Sequence, residues 1–355
     1  MTEHTDFDGL SLLVRTYPAS AVDAAIASCG RTEQRRRRLS ARLMVYFVLA
    51  MALFAPAPYL EVMRRLTSGL RRAGLWEDGP LPTKASIFQA RERLGAGPLR
   101  ELFRSCVRPS AGPDTPGSRW RGRPVLLVEE HAVDLPDGSG RARLPLAGLV
   151  ECGTGVVLDA EWEAPDPVGA LLRSALPGAL LVIEGGPFGP EAAAAAAAGG
   201  IGVIRRLPSS VVPFQPELRL RDGSFIVSLA GRPWRVIGPD LVTTLLDPVQ
   251  APARELLAGY VMAGAARGTL RAALRAALRG PDPAGAGLIS RTPEGIDQEL
   301  YGRLLVHHAA RRSAHGAPAA REHRAPSRAP EFSCRPAGRP VRSSVMTAVA
   351  VRTRR

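Results

Sequence analysis

Residues 43–55 are apolar without a break, and Arg35, Arg36, Arg37 and Arg38 stand just ahead of them. A helix that is apolar on every side must be surrounded either by lipid or by protein. The arginines resemble the cytoplasmic flank of a membrane span. Yet the run is only about thirteen residues long before Pro56, and a span needs about 20. The expectation is therefore a helix buried in a protein core, with no membrane partner. At 355 residues the chain can build such a core and divide into two or three folded units.

Helical signals surround that run. Val22, Ala25 and Ile26 have helical spacing in a short lead-in over 1–33, and Leu60, Met63, Leu66 and Leu70 repeat it after Pro56 and Pro58. Thr83 is placed to cap a helix that Gly95 closes, and Pro98 suits the first turn of the next. Residues 1–108 thus read as an all-helical domain. Residues 109–123, rich in Pro, Gly and Ser, read as a linker.

Beyond the linker the pattern changes to strands. Short apolar runs at 124–128, 144–150, 155–160 and 179–183 suit buried strands, with helical stretches at 171–175 and 191–198. Further short strand runs fall within about 203–247. Residues 252–278 and 292–312 return to helix. An all-helical N-terminal domain followed by strands and helices argues an α/β (α+β) chain whose mixed sheet carries a central β-rich insertion. Residues 313–355, dominated by Pro, Arg, Ala and Ser, read as a disordered basic tail.

Charge narrows the partners. There are 47 Lys and Arg against 33 Asp and Glu, a formal charge of +14 and a pI near 10.9. Such an excess repels itself unless a polyanion is near, which puts nucleic acid first. A single lysine, Lys84, stands among those 47 residues. With abundant Ala, Gly and Pro, this arginine bias reads as the mark of a GC-rich genome rather than of recognition. Arg35 to Arg38 suit a phosphate-gripping stripe, and Lys84, Gln89, Arg91 and Arg93 would project from the 83–94 helix if it entered a DNA groove. The competing arrangement is a solvated helix with Ile87, Phe88, Ala90 and Leu94 turned to the core. The four cysteines match no metal-ligand spacing, and the start of the chain lacks the features of a secretory signal, so a reducing cytoplasm is expected. His307 and His308 diverge by about 100° on a helix, which argues against a shared metal. His131 reads as a surface residue.

Several separated stretches, taken in order, resemble bacterial insertion-element-4 transposases. Arg38-Leu-Ser-Ala-Arg-Leu-Met-Val-Tyr-Phe-Val-Leu-Ala-Met-Ala-Leu-Phe54, Pro82-Thr-Lys-Ala-Ser-Ile-Phe-Gln-Ala-Arg-Glu-Arg-Leu-Gly95 and Pro98-Leu-Arg-Glu-Leu-Phe103 are similar to the family's N-terminal domain. Leu146-Ala-Gly-Leu-Val-Glu-Cys-Gly-Thr154 and Leu241-Val-Thr-Thr-Leu-Leu-Asp247 resemble its catalytic domain, and Arg291-Thr-Pro-Glu-Gly-Ile-Asp-Gln-Glu-Leu-Tyr301 its closing helix. The resemblance implies a ribonuclease H-like domain over 124–312. It also implies double-stranded DNA at transposon ends as partner, and three acids holding two divalent ions (Mg²⁺) about 4 Å apart for phosphodiester cleavage and strand transfer.

This chain departs from the acid pattern. Where the family has its first Asp, before Leu135-Pro136-Asp137, stand Glu129 and then Glu130. Glu184 replaces the second Asp and is followed by Gly185-Gly186 rather than by Arg. Tyr260 matches the start of the third motif, but 261–280 contains no acid, and the expected Glu falls at Arg267 or Gly268. Ala263 and Gly264 replace the motif's Arg and Trp. Glu129, Glu130 and Glu184 read as solvated strand-end acids ahead of the alternative, residual metal ligands at Glu129 and Glu184, because no complete triad can be assembled and a guanidinium carries the wrong sign to join them. The expectation is a DNA-binding relative that does not transpose. One alternative is an active enzyme using Glu129 and Glu184 with Glu255 or Asp282 as third acid. Another is a regulator that dimerises with an intact transposase; a homodimer is the further assembly considered.

Overall fold

A computed structural model describes residues 2–35, 37–72, 80–136, 143–184, 187–207, 214–275 and 288–315. The expected tail lies outside these beyond residue 315. Helices come first: α1 (Thr2–Thr16), α2 (Ala19–Ser28), α3 (Ala41–Leu53), α4 (Tyr59–Arg72), α5 (Lys84–Leu94) and α6 (Gly97–Cys106). Strands and helices then alternate: β1 (Arg119–Trp120), β2 (Arg123–Asp134), β3 (Arg143–Glu151), β4 (Val156–Glu161), α7 (Pro167–Leu171), β5 (Leu180–Ile183), α8 (Pro190–Ala198) and β6 (Gly202–Arg206). After β7 (Leu218–Arg219), β8 (Phe225–Leu229), β9 (Arg232–Val236) and β10 (Leu241–Thr243) come α9 (Ala253–Gly264), α10 (Thr269–Arg275) and α11 (Pro293–Ala314).

The apolar run is α3. Ser40 caps it by accepting the Leu43 amide at 3.3 Å, and every residue from Leu43 to Ala52 is buried. Its neighbours are helices, α11 foremost, and Gly302 of α11 lets the two backbones approach closely at Val48. Among the described residues no helix is long and apolar enough to cross a membrane.

The sheet runs β4-β3-β2-β5-β6-β10-β9-β8-β7, with β1 beside β2. β2, β3 and β4 form an antiparallel meander, β5 and β6 join parallel to β2, and antiparallel pairing resumes at β10. All four residues of β5 are buried, so both sheet faces are covered there, as a parallel centre requires. Thus β6, which begins at the start of the expected 203–247 insertion, belongs to the parallel centre. The insertion proper, β7 to β10, prolongs the same sheet.

The expected linker is tied down. The amides of Ser110 and Ala111 each donate to Glu151 Oε2 at 3.0 Å, and β1 pairs with β2. The helical half and the sheet are also not independent, because α11 packs on α3 and α6 and against β4. From α11, His307 Nε2 lies 2.9 Å from the Gly155 carbonyl, while His308 Nδ1 lies 2.7 Å from the Tyr17 hydroxyl. Adjacent on the helix, the two imidazoles serve opposite neighbours.

Burial holds both histidines neutral, lowering His307 to about 4 and His308 to about 3. The unfolded chain takes up these protons near pH 6.5 and the folded chain does not. The stability they confer is therefore full above about pH 6.5 and declines as pH falls toward 4. The slope approaches about 1.4 kcal/mol per pH unit for each group. Urea melts at pH 7 and pH 5 check this, and His308→Phe should flatten the dependence. Equal stability at the two pH values would show that these imidazoles are not held neutral.

The insertion anchors the start of α9. Arg235, fully buried on β9, is ion-paired with Asp222 and donates to Ser224 Oγ at 2.8 Å and to the Ala251 carbonyl at 2.7 Å. Asp222 in turn accepts the amide of Ala253, the first residue of α9, at 2.9 Å.

Candidate functional site

Two sites follow from this frame: an acid edge on the sheet and a basic cleft among the helices. At the acid edge, β2 and β5 are parallel with Val128 opposite Ile183. The next residue on each chain, Glu129 and Glu184, therefore lies on adjacent strands about 5 Å apart at the backbone. Over them passes the turn between α9 and α10, made by Ala265 to Gly268, where Gly268 takes φ +81°. Leu270, the second residue of α10, is buried against Gly148 of β3, a position where a Cβ would crowd it. That packing presses the turn onto the middle of β2 at Glu129, beside the end of β5, so Glu129 does not end its strand as the sequence suggests.

The acids are spoken for. The Gly268 amide donates to Glu129 Oε1 at 2.7 Å and the Leu270 amide to Glu129 Oε2 at 3.0 Å. Arg267 Nη2 donates to Glu184 Oε1 at 2.7 Å. Two guanidiniums lie over the Tyr260 ring, Arg267 at 5.1 Å and Arg206 at 5.5 Å from its centroid. Arg206 is also paired with Asp240 at 3.1 Å. The bond to Glu184 raises the Arg267 pKa further, and burial followed by the Glu184 charge raises the Tyr260 phenol. Glu184 thus faces Arg267, Glu129 faces backbone amides, and Arg206 is held by Asp240.

These residues do not fit a divalent cation. Mg²⁺ needs carboxylate oxygens turned inward in a near-octahedral shell. Here one carboxylate caps backbone amides and the other holds a guanidinium. The Arg267–Glu184 contact is partly exposed and contributes about 1 kcal/mol or less, so its strength is not what decides. The missing third ligand and the fixed positive charge decide. Among the described residues no group of three His, Cys, Asp or Glu is placed to hold a metal.

Other sequence candidates fall elsewhere. Glu255 is bonded to Arg121 at 2.6 Å, just before the start of β2, whereas Glu129 lies midway along that strand. It cannot serve as the third acid of this edge. Asp282 lies outside the described residues. Glu130 projects from β2 next to Glu129 and faces the charge of Arg205, whose own pKa burial lowers. His131 is half-buried on β2.

The basic cleft lies between residues 31–41 and α5, with a volume of about 480 Å³. Arg31, Arg35, Arg37 and Arg93 line it together with Glu33, over a floor of Leu39, Ala90 and Leu94. Arg38 is exposed and donates to the Pro80 carbonyl at 2.6 Å, and Arg36 lies outside the described residues. Lys84 is exposed on the first turn of α5. Thr83 caps that helix, accepting the Ser86 amide at 3.2 Å.

Arg91 is a correction. It is buried, donates to Gln298 Oε1 at 2.9 Å and to Ser290 Oγ at 3.1 Å, bonds the Tyr59 hydroxyl and stacks over that ring at 5.2 Å. It faces α11, not solvent. Helical period is the reason: Ile87, Ala90, Arg91 and Leu94 share one face, which puts Phe88 outside at 44% exposure. Bracketing of position 91 by 87, 90 and 94 was the signal available in the sequence. It was outweighed by the ordinary exposure of arginine.

Comparison with known proteins now adds two findings. Residues 8–104 match the family described as insertion element 4 transposase N-terminal. Over 116 residues, 33% of this chain, the sequence is 27% identical to the transposase InsG for insertion sequence element IS4 of Escherichia coli strain K12. That match spans 25% of the Escherichia coli protein.

Proposed function

We propose that this chain, an insertion element 4 transposase relative by its residues 8–104, binds duplex DNA through its helical half and carries out no phosphodiester chemistry. The observation that carries the second part is the acid edge. The resemblance puts the third acid at Arg267 or Gly268 and the second at Glu184, and Arg267 is bonded to Glu184. The ribonuclease H-like arrangement implied by the resemblance is supported by the meander of β4, β3 and β2 joined to parallel β5 and β6. DNA binding is supported by the net charge of +14 and by four arginines gathered on one cleft.

The test is affinity for duplex DNA at two salt concentrations. If Arg31, Arg35, Arg37 and Arg93 each neutralise a phosphate, binding weakens about 100-fold between ~50 and ~200 mM salt. Replacing Arg35 and Arg37 by alanine should lower affinity about equally for all sequences and flatten that dependence. Affinity that does not change with salt would rule out a phosphate-dominated mode.

A further inference from the structure

We propose that the exposed face of α5 made by Ala85, Phe88, Gln89 and Glu92 reads base edges in the DNA major groove, a step that rests on the DNA binding proposed above. All four residues are exposed, at positions 85, 88, 89 and 92, on the side of the helix opposite buried Ile87, Ala90, Arg91 and Leu94. A single helix of eleven residues is about 16 Å long and fits a groove about 12 Å wide. Positive charge flanks the face on both sides. Lys84 sits at its start, while Arg93 continues from its far side into the cleft with Arg31, Arg35 and Arg37. A helix so flanked has its cations where the two phosphate backbones border a groove.

The side chains of the face are of types that discriminate bases. Gln pairs with the N6 and N7 of adenine, Glu accepts from the N4 of cytosine, and Ala and Phe meet the methyl of thymine. Phe88 is otherwise hard to place, since an aromatic ring left 44% exposed gives up the burial that usually stabilises it. The flanking cations favour a polyanion over a neutral or basic surface, and Ala85 and Phe88 between them favour one with apolar edges between its charges. Duplex DNA has that chemistry.

The experiment presents the full chain with a pool of randomised 20-base-pair duplexes and sequences those retained. The wild type is expected to enrich a motif. Gln89→Ala and Phe88→Ala should each relax it at one or two positions, by about 5- to 150-fold per position. Both should bind unselected duplex within about threefold of wild type, because phosphate contacts are untouched. Identical motifs from wild type and both variants would overturn the inference, as would a wild type that enriches nothing while still binding unselected duplex in a salt-dependent way. Phe88→Ala altering the oligomeric state but not the motif would overturn it in favour of a protein partner. A wild type that binds no duplex at any salt concentration overturns DNA binding itself along with it.

Discussion

Replacing Arg91 by alanine is expected to destabilise the chain by about 3 kcal/mol or more, a loss of packing rather than of DNA recognition. Its guanidinium satisfies Gln298, Ser290 and the Gly295 carbonyl and rests on the Tyr59 ring. Gln298 returns the bond by donating to the carbonyls of Arg91 and Gly95 at 2.9 and 3.0 Å. Removing the guanidinium leaves buried acceptors without donors and opens a cavity between α5 and the start of α11, and both effects add to the cost. Arg93→Ala, two residues on and exposed, should stay within about 0.5 kcal/mol of wild type. Urea melts followed by circular dichroism compare the two. If Arg91→Ala melted like wild type while its DNA preference changed, α5 would be turned the other way.

The second large effect is at Arg267. Arg267→Glu changes the local charge by two units and sets a third carboxylate beside Glu129 and Glu184. Because Arg267 is 44% exposed and its ion pair contributes about 1 kcal/mol or less, the variant should fold. Calorimetry with Mn²⁺ should give no binding heat for the wild type and about millimolar or tighter binding for the variant. Glu184→Gln in the variant background should abolish the gain. Binding of Mn²⁺ by the wild type at this affinity would show that the guanidinium does not close the edge.

The parts of the fold that could be read in advance were those governed by local rules. The apolar run ending at Pro56, the Thr83 cap, the Gly95 stop and the 292–312 helix each carry their cause within a few residues of sequence. What depended on distant residues stayed hidden. Arg91 finds Gln298 at a separation of 207 residues, and Arg235 is buried only because Asp222 and the 245–251 backbone converge on it. A polar side chain defaults to the surface in a local pattern; Ile87, Ala90 and Leu94 bracket Arg91 as a counter-signal, whereas nothing local marks Arg235. The acid edge divides the same way. That Glu129 and Glu184 sit at neighbouring strands follows motif order, whereas the capture of Glu129 by the Gly268 and Leu270 amides is a product of how α10 packs on Gly148. The break between α9 and α10 within the helical stretch 252–278 has no strong local mark, since Gly268 alone is a weak signal in an alanine-rich segment.

The most direct measurement of the central claim is nicking of supercoiled DNA by the unmodified full chain with Mn²⁺, a cation less demanding of ligand geometry than Mg²⁺. With Arg267 bonded to Glu184 and no third carboxylate at the edge, the supercoiled form should persist at every Mn²⁺ concentration, even where the chain is bound to it. Mn²⁺-dependent nicking by the wild type that disappears in Glu184→Gln would contradict the claim and make the acid edge a working active site.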